Sequence, residues 1–519
     1  MSEAATHSVT APIARPELLA SLDPLLREWL PRQRWFAGKG RPVTGFSLVA
    51  AVELLPATAP LGLLHLLVRA HQPLTPAQGA VTHPGDCYQL LIGVREALPP
   101  RLAPALIGHL EEGPLAGRTV YEALYDPRPA DVLLEALRTR ARVGELRFER
   151  DRHQEIRDDL VPRLVTSEQS NSSIVYGDTF ILKLLRRIVP GINPDLELPL
   201  TLAREGCARV PAPTGWMVTD LGEETYVLGV LQPFVRGAAD GWELALRELA
   251  KRDGLGGPED CGGFDRFDGA GGFEGTGGFD GAGGSDRFDG AGGQDRFDGA
   301  GGFDGLGGFG GEVRALGRAT AEVHTALAHA LPTVTLGHAQ MGTLVDGMTE
   351  RLEVAAQAVP ALRPYAPGLR TAFAALADLA AEGHTWTAQR IHGDLHLGQC
   401  LRSPSGEWSL IDFEGEPSKP LAERRMPQPP ARDIAGMLRS FDYAARSQRP
   451  PAPGWADACR AAYCTGYAEV TGVDPRTDPV LLRAYETDKA VYEVLYEARH
   501  RPDWLPVPMA AVRRLAASP

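Results

Sequence analysis

The segment HGDLHLGQ, residues 392–399, and the segment LIDFEGEP, residues 410–417, decide the fold. Within them, Gln399 follows Asp394 by five residues and Asp412 follows Asp394 by eighteen. The sequence between them, LRSPSGEWSLIDF, predicts a short strand pair that brings both acids to one cluster. Phosphoryl transfer uses one carboxylate at the acceptor hydroxyl and a second carboxylate, with an amide, on magnesium. Each segment alone fits a polar turn equally well, but together they predict a phosphoryl-transfer site.

An ATP site is predicted further upstream. The segment SEQSNSSIVYGD, residues 167–178, lies between two strand patterns, and it suits an anion-binding turn as well as an ordinary hairpin turn. Ser170, Ser172 and Ser173 are its candidates for phosphate contact. Lys183 interrupts the apolar strand FILKLL, and a lysine in such a setting needs an anionic partner. We therefore predict that Lys183 binds phosphate.

The helix-like segment PDLELPLTLARE, residues 194–205, offers the partner of that lysine. Glu197 is preferred and Asp195 is the alternative, whereas Glu205 lies two turns further along. The apolar run VLGVLQPFVRG, residues 227–237, leaves the β-rich part of the chain at the point where kinases hold adenine through backbone groups. A set of three residues is predicted for adenine contact: Gln232, Phe234 and Val235.

The C-terminal segment YETDKAVYEVLYEARHRPDWLP, residues 485–506, carries aromatic and charged residues on one helical face. Such a face suits a sugar, because rings stack on its apolar side while charged groups bond its hydroxyls. The alternative is a packed helix with amphipathic tyrosines and solvated Glu–Lys pairs. The candidates for sugar contact are Tyr485, Lys489, Tyr492, Glu493, Tyr496 and Arg499, with His396 and Glu414 added from the two acidic segments.

The charge of the chain excludes some classes of partner. The 519 residues carry a formal net charge of −13, of which residues 253–311 hold −9 and the rest −4. A mildly acidic chain is not typical of a protein that binds nucleic acid or an anionic membrane. Its six cysteines lack CxxC spacing, its start lacks the features of a signal peptide, and no apolar run reaches the length of a membrane span. We expect a cytoplasmic protein with reduced thiols.

The segment 253–311 contains near-copies of DRFDGAGG at residues 265–272, 286–293 and 295–302. High glycine content with little apolar surface predicts a disordered linker. A calcium-binding β-helix is the functional alternative, but its repeat register is not present here. Helical patterns flank the segment, so we interpret it as a loop expanded between two helices of one domain.

The order of patterns predicts the domain organisation. A helix over residues 20–36, hairpins over 43–97 and a helix over 128–141 form an N-terminal unit. A second β group and then a helical region follow. We predict an α+β protein with a cap at residues 1–142, a β-rich nucleotide lobe at 143–236 and a helical lobe at 237–519. In that helical lobe, Asp433 is expected to orient the backbone of the catalytic loop.

The sequence resembles the actinobacterial maltokinases, relatives of the aminoglycoside phosphotransferases, over nearly all the chain outside 253–311. The motifs that carry the resemblance are RWFAGKGR, SNSSIVYGD, FILKLLRR, NPDLE, HGDLHLGQ, IDFEGEP, ARDIAGMLRSFDYAA and the C-terminal segment. It implies a bilobal protein-kinase-like fold with an N-terminal cap. The residues of WLPRQRWFAGKGR, 29–41, would suit an anionic ligand, but we interpret this segment as a structural element of the cap. Two departures matter: the commoner kinase pattern has Asn at the position of Gln399, although Gln is usual among relatives of this type, and the insertion is not a family feature.

The resemblance also implies an activity. Its cofactors are ATP and Mg²⁺, with Asp394 as base, Gln399 and Asp412 as magnesium ligands, and Lys183 on the phosphates. The reaction is phosphorylation of maltose at the anomeric hydroxyl, which feeds α-glucan synthesis from trehalose. A kinase for another sugar or aminosugar, such as glucosamine, is the first alternative, and a sugar-sensing pseudokinase is the second. The expected partners are small molecules, namely maltose and ATP. The protein itself is expected to be a monomer that associates with enzymes of the trehalose-to-glucan pathway.

Overall fold

A computed structural model describes residues 15–73, 85–165, 170–252, 308–416, 419–448 and 450–517. The chain forms two compact units, residues 1–200 with 211–236 and residues 201–210 with 237–519. The first unit is rich in strands and the second in helices, so the predicted α+β class is confirmed.

The first unit contains two antiparallel sheets. Its elements are α1 (Arg15–Trp29), β1 (Gly45–Leu55), β2 (Gly62–His71), β3 (Cys87–Arg95), β4 (Leu106–His109), β5 (Thr119–Glu122), α2 (Pro127–Thr139), β6 (Arg142–Val143), β7 (Leu146–Arg150), β8 (Pro162–Val165), β9 (Asn171–Tyr176), β10 (Phe180–Leu185), β11 (Arg187–Ile188), α3 (Pro194–Arg204, which continues into residues of the second unit), β12 (Gly215–Leu221) and β13 (Glu224–Pro233). One sheet has the order β1-β2-β3-β5-β4, with β11 paired to β3, and the other has the order β6-β7-β12-β13-β10-β9-β8.

Strand β3 is buried on both faces, which explains why nearly all its buried residues are apolar, Gln89 excepted. Alternate residues of a strand point to opposite faces. Tyr88 and Leu90 pack with Leu22 of α1, and Leu91 packs with the core of the second sheet. The predicted helix over 20–36 is α1, which begins five residues earlier and ends at Trp29, because Pro31 follows in a short 3₁₀ turn.

The second unit is a helical body with two small sheets. Its elements are β14 (Ala239–Asp240), α4 (Gly241–Arg252), α5 (Phe309–Ala330), β15 (Val334–Leu336), α6 (His338–Ala358), α7 (Ala366–Ala381), β16 (Trp386–Ala388), β17 (Cys400–Arg402), β18 (Trp408–Leu410), α8 (Leu421–Arg424), α9 (Ala431–Ser447), α10 (Pro453–Thr471), α11 (Pro479–His500) and α12 (Pro506–Ala517). The predicted strand pair after Gln399 is the hairpin β17–β18.

Helices α5 and α10 approach closely through two glycines. A Cβ on Gly317 would lie 2.1 Å from the Tyr463 carbonyl oxygen, and one on Gly466 would lie 1.9 Å from that of Arg314. Each helix therefore needs a glycine at the crossing point. Among the described residues, every helix is too short or too polar to cross a membrane.

The predicted disordered insertion over 253–311 lies outside the described residues, except for its last four. Phe309, Gly310 and Gly311 form the first turn of α5, and Phe309 is buried. The predicted C-terminal boundary of the insertion is therefore too late by at least three residues.

Candidate active site

The loop between β16 and β17 carries Asp394 and is fixed by Asp433 of α9. The two carboxylate oxygens of Asp433 accept hydrogen bonds from the backbone N–H groups of Gly393 and His392, each at 2.8 Å. Asp433 also accepts a bond of 3.1 Å from His324 Nε2. Burial raises the pKa of Asp433, but these bonds outweigh it and leave the pKa below its usual value. The expectation that Asp433 orients the loop is confirmed.

Two further contacts hold the loop against its surroundings. A Cβ at Gly436 would lie 2.6 Å from the Leu395 carbonyl oxygen, so only glycine lets α9 approach the loop this closely. His392 Nε2 donates to the Ile411 carbonyl oxygen at 2.8 Å and thereby ties the loop to the end of β18. The loop is thus positioned from two sides.

Asp394 is paired with Lys489 of α11. Lys489 Nζ donates to Asp394 Oδ1 at 2.9 Å, and Asp394 is 7% exposed. Burial raises the pKa of the Asp394 carboxyl, whereas the charge of Lys489, with smaller contributions from two loop histidines, lowers it below its usual range. Lys489 shows the opposite balance, because burial lowers its pKa and Asp394 raises it above the usual value. Both groups are therefore ionised at neutral pH.

Asp412 and Gln399 meet beside the hairpin. Gln399 Nε2 donates to Asp412 Oδ2 at 2.9 Å, so the hairpin brings together the two residues that the sequence predicted as magnesium ligands. Asp412 has a φ of +64°, which is uncommon for a residue other than glycine. Backbone strain of this kind concentrates at functional sites. An amide and a carboxylate are also oxygen donors, which Mg²⁺ prefers.

A pocket opens beside Asp394 within the helical unit. Tyr485, Lys489 and Tyr492 of α11 line it. The other lining residues come from the catalytic loop, α6, α9, α11 and the segment after β18: Arg351, Gly393, Leu395, Glu416, Arg432, Asp433, Gly436 and Asp488. Lys489 Nζ lies 5.0 Å from the centre of the Tyr492 ring, a cation–π distance.

Salt bridges join several of the residues that line this pocket. Arg351 binds Asp488 through two hydrogen bonds, of 2.8 and 2.9 Å. Arg432 binds Glu416 at 3.1 Å, and Lys419 lies 3.7 Å from the same carboxylate. Sequence reasoning missed Arg351, Arg432, Glu416 and Asp488. Only their fold brings them together, because they come from four separate stretches of chain.

In the first unit, Lys183 of β10 binds Asp195 of α3 at 2.9 Å. Asp195 was the alternative partner that the sequence offered beside Glu197. Asn193 Oδ1 accepts a bond from the Asp195 N–H at 2.9 Å, which holds the start of α3. Glu197 lies half-buried in the first turn of the same helix.

Two family models match the chain. Residues 29–126 match the maltokinase N-terminal cap domain, and residues 310–473 match the phosphotransferase enzyme family. The chain therefore contains a region similar to each of these two families. The predicted kinase-like fold with an N-terminal cap is thereby confirmed.

The curated proteins similar to this chain include two glucosamine kinases. That of Streptacidiphilus jiangxiensis is 26% identical over 371 residues, which are 67% of this chain and 71% of the relative. That of Mycolicibacterium smegmatis is 28% identical over 374 residues, 68% and 79% of the two chains. A solved glucosamine kinase in complex with glucosamine, ADP and inorganic phosphate has a TM-score of 0.60 and 21% identity, over 95% of this chain and 98% of that one. This likeness shows the fold.

The predicted phosphate-binding serines of this kinase lie on or beside β9. Ser172 and Ser173 are inside the strand and not in the connecting turn that the sequence predicted. Arg186 Nε donates to Ser172 Oγ at 2.8 Å, and Ser173 is completely buried. Ser170 precedes the strand and accepts a weak bond from Asn171 at 3.3 Å. Of the three hydroxyls, that of Ser170 is the best candidate for a phosphate.

The predicted adenine-contact residues lie at the end of β13. Gln232 pairs with Ile181 of β10, and the Phe234 N–H donates to the Thr179 carbonyl oxygen at 2.9 Å. Val235 follows directly and is half-buried.

Two of the predicted sugar contacts are placed elsewhere. Glu493 is buried, and its carboxylate binds the guanidinium of Arg439 at 2.5 Å. His396 is completely buried, and its Nδ1 accepts a bond of 3.1 Å from the Gly398 N–H. Neither side chain is among the residues that line the pocket.

The remaining candidates lie at or beyond the pocket margin. Glu414 lies 3.9 Å from Arg424. Tyr496 stacks on Tyr492, with ring centres 6.2 Å apart, and Arg499 is exposed near the end of α11. The structure does not place these three residues among those that line the pocket.

Proposed function

We propose that this protein is an ATP- and Mg²⁺-dependent kinase that phosphorylates maltose at its anomeric hydroxyl in the cytoplasm. The observation that carries the proposal is the Asp394 carboxylate, which is held by Lys489 at 2.9 Å beside a pocket lined by Tyr485 and Tyr492. A carboxylate in this position is able to accept the proton of a sugar hydroxyl, while the rings supply apolar surface for the sugar.

The proposed reaction is a direct transfer. The sugar hydroxyl oxygen forms a bond to the γ-phosphorus of ATP as the bond between that phosphorus and the leaving oxygen of ADP breaks. The hydroxyl proton moves to Asp394. Lys489 keeps its own proton and orients the carboxylate through its 2.9 Å hydrogen bond. The products are ADP and the sugar phosphate.

The residues at Gln399 and Asp412 fit magnesium, because their side chains bring an amide and a carboxylate to one place. Bound there, Mg²⁺ would neutralise phosphate charge. In the proposed nucleotide lobe, residues 143–236, Lys183 would contact phosphate and Glu197 and Asp195 would hold its position. Ser170 would cover the phosphates, and the strand end at Gln232–Val235 would bind adenine.

Two observations support maltose as the sugar. The cap region matches the maltokinase N-terminal cap domain. In the pocket, the carboxylates of Asp394, Asp488 and Glu416 each bind a cation, which suits a neutral sugar better than a charged one. Glucosamine is the second candidate, because the relatives at 26% and 28% identity are glucosamine kinases.

An assay of ADP formation with maltose, glucose, glucosamine and kanamycin tests the proposal. We expect the highest kcat/KM with maltose, and a phosphorus NMR signal split by the anomeric proton of the product. Asp394→Asn should lower kcat by about a thousandfold or more, because the proton acceptor is lost, while ATP binding persists. No turnover of maltose would contradict the assigned sugar, and near-normal activity of Asp394→Asn would remove that residue from the reaction.

A further inference from the structure

The pocket beside Asp394 contains charges that cancel in pairs. Asp394 is neutralised by Lys489, Glu416 by Arg432, and Asp488 by Arg351. Asp433, the fourth acid in the lining, is turned to the catalytic loop and His324. The pocket therefore presents many hydrogen-bonding groups but no excess of negative charge.

The Arg351–Asp488 pair differs from the others in its geometry. Two nearly parallel hydrogen bonds, of 2.8 and 2.9 Å, join the guanidinium of α6 to the carboxylate of α11. This bidentate contact uses both oxygens of the carboxylate. Asp488 is on the same helix as Tyr485 and Lys489 and lines the pocket with them. Asp488 is neither the proposed proton acceptor, which is Asp394, nor the acid that holds the loop, which is Asp433.

We propose that Arg351 is a specificity-determining residue that excludes amino sugars by occupying Asp488. The proposal rests on the proposed sugar-kinase function. A protonated amino sugar loses water around its ammonium group when it enters the pocket, and this loss is offset only by an anionic partner. With Arg351 in place, an ammonium group near Asp488 meets a neutral ion pair, one half of which is the Arg351 cation. A neutral sugar carries no such cost and is able to bond the outer edges of both groups.

Replacement of Arg351 by Gln removes the cation and leaves Asp488 as a free anion in the pocket. Glucosamine and glucose differ by one amino group, so the ratio of their kcat/KM values isolates recognition of that group. We expect Arg351→Gln to raise the ratio of glucosamine to glucose by about tenfold, in line with a charge interaction at the margin of a protein. Arg351→Lys keeps the cation and should leave the ratio close to that of the unmodified protein.

The double variant Arg351→Gln with Asp488→Asn is the matched control. It removes both charges, so the gain for glucosamine should disappear. Asp488→Asn alone leaves Arg351 as an unpaired cation in the pocket and should lower the ratio, because like charges repel. Arg370→Gln breaks a pair with Glu353 on α6, which is outside the pocket lining, and should not change the ratio. Equal effects of Arg351→Gln on both sugars, or a gain that persists in the double variant, would overturn the proposal.

Calorimetric titration of the same variants with each sugar reports recognition without turnover. A variant that binds glucosamine more tightly but transfers no phosphate supports the role of Arg351 and contradicts the proposed reaction. If Arg351→Gln does not fold, the double variant decides. An unchanged ratio of glucosamine to glucose binding supports the proposal, and a fall in that ratio would show that Asp488 already serves the amino group. Failure of every protein to bind any of the sugars would contradict both proposals.

Discussion

Gln89 joins the two sheets of the first unit through a single side chain. Its Nε2 donates to the carbonyl oxygens of Leu185 and Leu228, both at 2.8 Å, so its Oε1 must act as an acceptor. The partner of Oε1 is His65 Nε2, at 2.8 Å, which fixes the proton of this histidine on Nε2. His65 Nδ1 is buried and has no hydrogen-bond partner among the described residues.

Protonation of His65 would place an uncompensated charge in the core. Burial lowers the pKa of His65 from 6.5 to about 4. The unfolded chain binds a proton between these values and the folded one does not, so stability present above pH 6.5 is lost progressively as the pH falls to 4. At pH 5 the loss from this residue should be about 2 kcal/mol of unfolding free energy. Hydrogen exchange of β2 and β3 amides at pH 5 and 7, corrected for intrinsic rates, measures it.

His65→Gln keeps a donor for Gln89 Oε1 but does not titrate in this range. In this variant, the increase in amide exchange of β2 and β3 from pH 7 to pH 5 should be mostly lost. His153→Gln, at an exposed histidine, is the matched control and should retain it. An unchanged pH response in His65→Gln would show that another group produces the acid sensitivity.

Single residues of the site were predictable to different degrees. The spacing of Asp394, Gln399 and Asp412 is enforced by a short loop and a hairpin, and these local features are encoded in adjacent sequence. The choice between Asp195 and Glu197 as the partner of Lys183 was not predictable from the sequence, because both lie in the same helical turn. Only the Asx turn at Asn193, which fixes the start of α3, brings Asp195 to the lysine.

Helix α11 presents two neighbouring stripes with different tasks. Tyr485, Lys489 and Tyr492 face the pocket. The next stripe carries Glu486, Glu493 and Glu497, all buried and paired with residues of other helices or of the helix end. The helical period places Glu493 one turn after Lys489, so sequence reasoning assigned it to the sugar face. Which stripe meets solvent depends on the packing of α9 against α11, which the local pattern does not contain.

The Arg439–Glu493 pair couples the helix that holds the catalytic loop to the helix that carries Lys489. Arg439 and Glu493 are 1% and 3% exposed. Removal of one partner leaves a buried charge, so Glu493→Leu should cost about 3–5 kcal/mol of unfolding free energy. The double variant Arg439→Met with Glu493→Leu should recover much of this loss, because apolar residues of similar volume replace a buried pair at little cost. Urea denaturation measures both.

The exposed pair Arg370–Glu353 provides the comparison, through the single variants Arg370→Leu and Glu353→Leu. Both side chains are about half exposed, so each single change should cost at most ~1 kcal/mol. If Glu493→Leu were as mild as these, the buried pair would not be what holds α11 against α9. A double variant as unstable as Glu493→Leu would show that Arg439 is needed mainly by Asp442, which it also binds at 3.0 Å.

At the scale of the whole molecule, the long acidic insertion connects helices α4 and α5 along the chain. Helix α4 ends at Arg252 and α5 begins at Phe309. Phe309 stacks on Trp455 of α10 with ring centres 5.8 Å apart, and Trp455 contacts Phe441 of α9 at 6.3 Å. The glycine-rich composition predicted an insertion, but the anchor role of Phe309 was hidden, because similar Gly–Gly–Phe motifs recur throughout the segment.

Two deletions distinguish the effect of the insertion on stability from the effect of Phe309. Replacement of residues 253–307 by about ten Gly and Ser residues should leave stability equal or raise it by roughly 1 kcal/mol, because a shorter loop costs less closure entropy. The kcat should be unchanged, since all the proposed site residues remain. The same linker in place of residues 253–310 also removes Phe309 and should cost about 3 kcal/mol of unfolding free energy, as truncation of a buried Phe does. Thermal unfolding and ADP formation compare the two proteins. Equal loss in both would mean that residues before Phe309 contribute to the fold.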